Sequence, residues 1–291
     1  MVQIRVMNKA DVESVSNFIS ELNIIEESHI GYCGKDSKEI AHSLVEDISD
    51  IKYSESFVTA YEQNQLIGVL GFDADLGVNS AEIWGPFIKE NKWGVAYSMW
   101  SEMIKLLPIE IHSISMFPNM KNCSVLKLAY NLSFIEHSKQ TILTFHRDNR
   151  SDLKDVETIE LTPEYFIDMK QLHNQAFPGT YYSGQQIIDR LDKHRKVFML
   201  NDNNGLSGYI YVEAEPEFGE GSIEFFAVKE SERGKGIGRH LLTIALKWLF
   251  TFETIDSTTL CVNTGNDNAI SLYKKVGFQH IHDLCFFTKK I

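Results

Sequence analysis

The stretch "GLSGYIYVEAEPEFGEGSIEFFAV", residues 205–228, decides the fold because the chain carries it twice. Residues 65–88 read "QLIGVLGFDADLGVNSAEIWGPFI". Both have Leu-x-Gly, an apolar run, an acid-Ala-acid triplet, a Gly-containing loop and a second apolar run. Each follows a strand-like segment, "SFVTAYE" (56–62) and "KVFMLND" (196–202), with turn residues between (Asn64; Asn201 to Gly205). Strand, tight turn, strand, loop, strand is an antiparallel meander.

The repetition extends outward. The openings "VQIRVMNKADVESVSNFISELN" (2–23) and "VETIELTPEYFIDMKQLHNQAF" (156–177) each predict an alternating strand and a capped helix, with caps at Asp11 and at Thr162–Pro163. The ends "NCSVLKLAYNLSFIEHS" (122–138) and "NDNAISLYKKVGFQHIH" (266–282) predict a short helix and a Ser/Gly-Phe step into a closing strand. The polar run "HRDNRSDLKD" (146–155) separates the copies. The expected organisation is an α+β unit used twice, over 1–147 and 156–291, joined by a linker at 148–155.

Composition narrows the function. A chain of 291 residues, 43% hydrophobic and 23% charged, suits two ordinary soluble domains. A net charge of −12 opposes a general nucleic-acid binder and is compatible with a cationic small-molecule partner. No run approaches the ~18 apolar residues of a membrane span, and the N-terminus lacks a signal-peptide stretch. Cys33, Cys123, Cys261 and Cys285 form no C-x-x-C pair, which points to free thiols in a cytoplasmic protein. His280 and His282 alternate on the closing strand without a third ligand, so no metal is expected.

After the second meander comes "SERGKGIGRHLL", residues 231–242. Gly234, Gly236 and Gly238 alternate with Lys235 and Ile237, between Arg233 and Arg239, and an apolar helical pattern follows. A glycine-rich turn opening a helix presents several backbone N–H groups to an anion, and the helix N-terminus adds positive partial charge. A phosphate or pyrophosphate is the natural occupant. Neither the dinucleotide fingerprint nor the Walker loop fits: the first needs glycine where Arg239 stands, the second where Lys229 stands.

The segment "RGKGIG" resembles the R/Q-x-x-G-x-G/A signature of the GNAT superfamily of acetyl-CoA-dependent N-acetyltransferases, and "NDNAISLYKKVGF" is similar to the family's N-x-x-A-x-x-L-Y-x-x-x-G-F. The resemblance covers 156–291 in motif and 1–147 only in the order of elements. It implies a mostly antiparallel sheet flanked by helices, in two tandem copies. In that fold two central strands part and the pantetheine arm of acetyl-CoA fills the space. The resemblance assigns Val228 to the pantetheine, the Phe226 N–H to the thioester carbonyl, Arg233 to Arg239 to the pyrophosphate, Asn266 to the cofactor arm and Tyr273 to the leaving sulfur. For Asn266 a plain turn-capping role stays open.

Acetyl transfer to an amine needs a neutral amine, a polarised thioester and a proton for the departing thiolate. Strand alternation along "SIEFFAV" puts Glu224 on the face of Phe226 and Val228, as base or acceptor ligand. Glu213 belongs to an acidic rim suited to a cationic amine, and Tyr181 and Tyr182 in "AFPGTYYSG" (176–184) offer an aromatic wall. In the first copy "NKWGVA" (91–96) stands where "RGKGIG" does, Ala129 replaces Tyr273, and Pro86 removes a backbone donor. That copy is expected to be degenerate. The expected protein is an N-acetyltransferase acting on a small-molecule or peptide amine, monomeric or homodimeric, with acetyl-CoA as co-substrate. A non-catalytic acyl-CoA sensor is the alternative.

Overall fold

The computed structural model describes residues 2–202 and 205–291. Its contacts divide the chain into two compact units: unit 1 is Met1–Gln140 with His282–Ile291, and unit 2 is Thr141–Ile281. These bounds depart from 1–147 and 156–291 at the two closing strands.

Unit 1 begins with β1 (Val2–Val6), α1 (Val12–Asn23), α2 (Ser37–His42) and α3 (Tyr53–Ser56). The meander β2 (Phe57–Glu62), β3 (Gln65–Asp75) and β4 (Ser80–Ile88) follows. Then come α4 (Ala96–Ile104), β5 (Ser113–Met116), α5 (Cys123–Asn131) and the closing strand β6 (Ile135–His146). In unit 2, α6 (Phe166–Ala176) and α7 (Gly184–Asp189) precede the meander β7 (Arg195–Asp202), β8 (Gly205–Glu215) and β9 (Glu220–Val228). After it come α8 (Ile237–Leu249), β10 (Ser257–Asn263), α9 (Asp267–Val276) and β11 (Gln279–Lys290).

The sheet of unit 1 runs β1-β2-β3-β4-β5, and β5 takes β11 as its outer neighbour, with Phe287 opposite Met116. In unit 2 the order is β7-β8-β9-β10, and the part of β6 after Gln140 lies beside β10. A bond between the Thr141 and Thr264 hydroxyls (3.1 Å) and another from the Arg147 amide to Asp256 O (2.8 Å) mark that edge. Each sheet is therefore completed by the closing strand of the other copy. An edge strand with a bare row of N–H and C=O groups needs a partner, and the alternating pattern of either closing strand meets that need equally well.

Local chemistry explains the elements. Gln63 and Asn64 take positive φ (49° and 64°), the geometry of the tight hairpin turn expected at Asn64. The matching turn over Asn201–Gly205 falls partly outside the described residues. Asp11 stands at the N-cap position of α1 but makes no side-chain cap there, and Asn8 caps the 3-10 turn Lys9–Asp11 that leads into the helix. The Asn8 side chain accepts from Ala10 N–H while Asp11 returns a bond to the Asn8 amide and pairs with Arg5 at 2.7 Å. The opening strand expected in the second copy is short. Leu161 N–H to Val197 O and Met199 N–H to Ile159 O tie it to β7 before Pro163 starts a helical turn.

Arg147, at the start of the polar connection, closes the end of α8. Its guanidinium donates to Ile255 O (2.7 Å), Phe250 O (3.2 Å) and Phe252 O, and it lies over the Phe250 ring. These carbonyls lie at and beyond the end of the helix, where intrahelical donors run out. Arg147→Met keeps the stem and removes the donors. It is expected to cost about 2 kcal/mol of stability, read from denaturant melts.

Candidate functional site

Strands β9 and β10 run parallel and pair only from Glu220↔Ser257 to Ile223↔Leu260. Beyond that point β9 continues through Val228 without a strand partner on this side. The orientation of its free groups follows from the other edge. Lys229 N–H bonds Ser207 O at 2.9 Å, and Val228 lies opposite Gly208 and Phe226 opposite Ile210. In an antiparallel ladder bonded and non-bonded pairs alternate, so the N–H groups of Phe226 and Val228 turn away from β8 and into the opening beside β10. A register shift between Tyr211 and Val212 makes Glu224 the bulged residue.

That bulge corrects the expected alternation. Phe225 packs toward α6, 4.7 Å edge-on from His173, while Phe226 turns to the other face, 6.3 Å from the Tyr273 ring. Glu224 sides with Phe225, because its carboxylate accepts from Tyr181 Oη at 2.5 Å. Burial raises the Glu224 carboxyl above its usual pKa, against hydrogen bonds from Ser222 and Tyr181 that lower it.

The glycine-rich turn has the shape of an anion nest. Gly234 and Gly236 take φ of 80° and 85°, and Gly236 caps α8 in the left-handed region without any side-chain cap. A Cβ at either position would meet nothing within 4 Å, so the turn is open to a ligand. Among the described residues the amides from Gly234 to Arg239 have no acceptor. Gly238 serves packing instead: a Cβ there would sit 2.9 Å from Leu272 Cδ2 and from Phe226 Cζ. Lys235 pairs with Glu232 at 3.0 Å, and Arg233 Nε reaches Val228 O at 3.4 Å. Arg239 lines a cleft of about 190 Å³ with Lys154, Gly236 and His240. Ile237 opens the helix behind the nest.

Tyr273 on α9 is 7% exposed, and burial raises its pKa, so the phenol keeps its proton. Asn266 caps the same helix, its side chain accepting from Ala269 N–H at 3.2 Å. The turn-capping role left open for it is the one its oxygen performs.

On the acceptor side the expected residues divide. Tyr181 is 60% exposed and stands against Glu224. Tyr182 has one ring face covered by Arg190 at 4.2 Å. Glu213 is held by Arg190 (3.1 Å), Arg195 (3.4 Å) and Tyr211 Oη (2.5 Å). Its charge is compensated by arginines just past α7 and at the start of β7, too distant in sequence to be foreseen. Sequence reasoning missed His173, wholly buried between Tyr209 Oη (2.6 Å) and Tyr182 O (2.7 Å). The signal was a polar residue four places after Met169 on the apolar stripe of α6.

In unit 1 the corresponding strands also part, β4 and β5 pairing only from Ser80↔Ser113 to Glu82↔Ser115. There the chain occupies the edge itself. Pro118 O accepts from Cys285 on the β11 side, so Phe117 O points the other way, and it accepts from Gly31 N–H at 2.8 Å. Ile30 bridges Pro118, and the Gly85 amide of β4 faces the buried Cys33 sulfur. Residues 90–95 form a 3-10 helix without a left-handed glycine, so no nest exists there. Across β3 and β4, Asp73 stands opposite Glu82. Burial and its acidic neighbours Asp50, Asp47 and Asp75 raise Asp73 to about 6, and burial with Asp73 raises Glu82 to about 8.

Residues 166–278 match the model of the Acetyltransferase (GNAT) family. A spermine/spermidine N(1)-acetyltransferase of Bacillus subtilis (strain 168) is 25% identical over 151 residues, 50% of this chain and 90% of that protein. A mycothiol acetyltransferase of Streptomyces avermitilis is 30% identical over 94 residues, 32% of this chain and 30% of that protein. Among solved structures, a GCN5-related N-acetyltransferase from Sphaerobacter thermophilus superposes with a TM-score of 0.75 at 14% identity, over 99% of this chain and 95% of that one. A tandem GNAT protein from the clavulanic acid biosynthesis pathway gives 0.66 at 13%, over 100% and 98%. At those identities the structures establish the fold, two tandem GNAT-like units, and nothing further.

The carboxyl pair of unit 1 gives a pH signature. Glu82 holds its proton more tightly folded than unfolded, so this site stabilises the fold at low pH and loses that contribution as pH rises from the ordinary carboxylate range through about 8. Glu82→Gln is expected to raise stability at pH 8 and to flatten the pH dependence between about 5 and 8, measured by thermal melts at stepped pH.

Proposed function

We propose, from the premise that residues 166–278 form an acetyltransferase domain of the GNAT family and the chain is an acyltransferase, that unit 2 moves an acetyl group from acetyl-CoA to a primary amine by direct attack. The observation that carries this reading is the parting of β9 from β10 after Ile223↔Leu260, with the Phe226 and Val228 amides facing the opening. A cytoplasmic small-molecule amine is the acceptor class; the similarity to a polyamine acetyltransferase favours cationic amines. No helix among the described residues is long and apolar enough to cross a membrane.

Each residue has a role in the chemistry. The nest from Gly234 to Arg239 holds the diphosphate through backbone N–H groups, with Arg239 adding charge. The Val228 amide binds the pantetheine arm, which requires Arg233 to leave the Val228 carbonyl. Phe226 N–H donates to the thioester oxygen, where negative charge grows as the amine nitrogen bonds the carbonyl carbon. Glu224, directly or through water, takes the proton that the amine nitrogen loses. As the carbon–sulfur bond breaks, Tyr273 gives its proton to the sulfur. Burial, which raises the Glu224 pKa, makes that carboxylate a stronger base, and the raised Tyr273 pKa keeps its phenol protonated as a donor.

A thiol-release assay with a panel of amines, spermidine included, tests this. Glu224→Gln is expected to lower kcat/KM about 100-fold and to abolish the rise of activity with pH that belongs to Glu224 deprotonation. Tyr273→Phe is expected to lower kcat by about 10- to 100-fold with little change in acetyl-CoA KM. Variants that match wild type on an amine it turns over would refute both assignments.

Calorimetry supplies a second check. One acetyl-CoA per chain is expected, lost in Gly236→Val, whose side chain strains the left-handed turn. Two equivalent sites would refute the degeneracy of unit 1.

A further inference from the structure

We infer that His173 is a positioning residue for the amine acceptor: it fixes the loop from Phe177 to Ser183 so that Tyr181 stands against Glu224. The inference rests on the transferase reading of unit 2 and names a residue that reading does not use.

Its hydrogen bonds define the imidazole. Tyr182 O can only accept, so the Nε2 atom 2.7 Å away carries a hydrogen. Nδ1 then accepts from Tyr209 Oη at 2.6 Å. Tyr209 is wholly buried, and burial raises its pKa, so it stays a donor. Burial lowers the pKa of His173, against the raising effect of the Tyr182 bond, which favours the neutral ring. One tautomer is selected, and with it one place for the Tyr182 carbonyl.

The last turn of α6 grips the loop twice. Besides His173 holding Tyr182, Asn174 Oδ1 accepts from the Gly184 amide at 3.0 Å. Arg190 clamps the Tyr182 ring from the far side. Tyr181, next in the chain, has its ring 4.8 Å from those of both Phe225 and Tyr182 and its hydroxyl on Glu224. His173 also packs edge-on against Phe225, the neighbour of Glu224. An amine reaching Glu224 donates to the carboxylate that Tyr181 now occupies and lies against the Tyr181 ring. The loop therefore sets acceptor binding, whereas the groups facing β10 and the nest do not touch it.

Steady-state kinetics on the full chain, with spermidine and acetyl-CoA varied separately, reads this role. His173→Phe keeps an aromatic ring under Phe225 and orphans Tyr182 O; the acceptor KM is expected to rise about tenfold, with kcat and acetyl-CoA KM within about twofold. His173→Gln, whose side-chain amide can donate to Tyr182 O, is expected to recover most of the loss. In a Tyr181→Phe background, His173→Phe should add less than about twofold, because both act through one contact.

Hydrogen exchange supplies a readout that needs no turnover. Amides from Gly179 to Gly184 are expected to exchange faster in His173→Phe and near the wild-type rate in His173→Gln. Unchanged exchange in His173→Phe overturns the inference, and so does an equal fall in kcat and both affinities that His173→Gln fails to rescue. If the wild-type protein acetylates no amine, the transferase reading falls, and the exchange rates still decide whether His173 holds the loop.

Discussion

Backbone polar groups in a folded chain have to find partners, and β9 withholds one on a single edge. It hydrogen-bonds β10 for four residue pairs and then continues alone. Everything else in unit 2 is arranged around that unpaired edge. The Glu224 bulge reorients the strand beside it, Phe226 packs beneath Gly238 and near Tyr273, and the left-handed glycines of the next turn open just past its end. A row of exposed donors and acceptors is a template for an extended ligand, in the way an open sheet edge is a template for another strand.

Unit 1 meets the same constraint with its own chain. Its parted strands receive the chain's own residues 29–33, with Gly31 bonded to Phe117 O and Cys33 against the Gly85 amide. Pro86, at the place of Phe226, has no N–H to offer, and the turn that should form a nest is a 3-10 helix. The two units share a fold and differ in what satisfies their open edges. In one the edge is used up inside the unit; in the other it stays open beyond Ile223↔Leu260.

Much of this was legible in the residues. The meander and the helix after the glycine turn follow from period and turn chemistry, both local signals. Glu224 and Tyr181 were found as residues, but their meeting was not, because a bulge breaks the alternation that sequence reasoning assumes. Glu213 read as a free acid because Arg190 and Arg195 come from elements that only folding brings near. His173 was passed over as one more position on an amphipathic helix. The exchange of closing strands was invisible for a more general reason. "FIEHSKQTILTFH" and "FQHIHDLCFFTKK" both specify a strand, and neither specifies which sheet it joins.

That exchange bears on how the molecule comes into being. Unit 1 is built mostly from residues that leave the ribosome first, yet its outer strand begins at His282, after all of unit 2 has been made. Until then β5 offers a bare margin, and the nascent first half waits in an incomplete state through the synthesis of the second. A gene divided in the polar connection would therefore not yield two self-sufficient proteins, because each fragment would carry away a strand that the other requires.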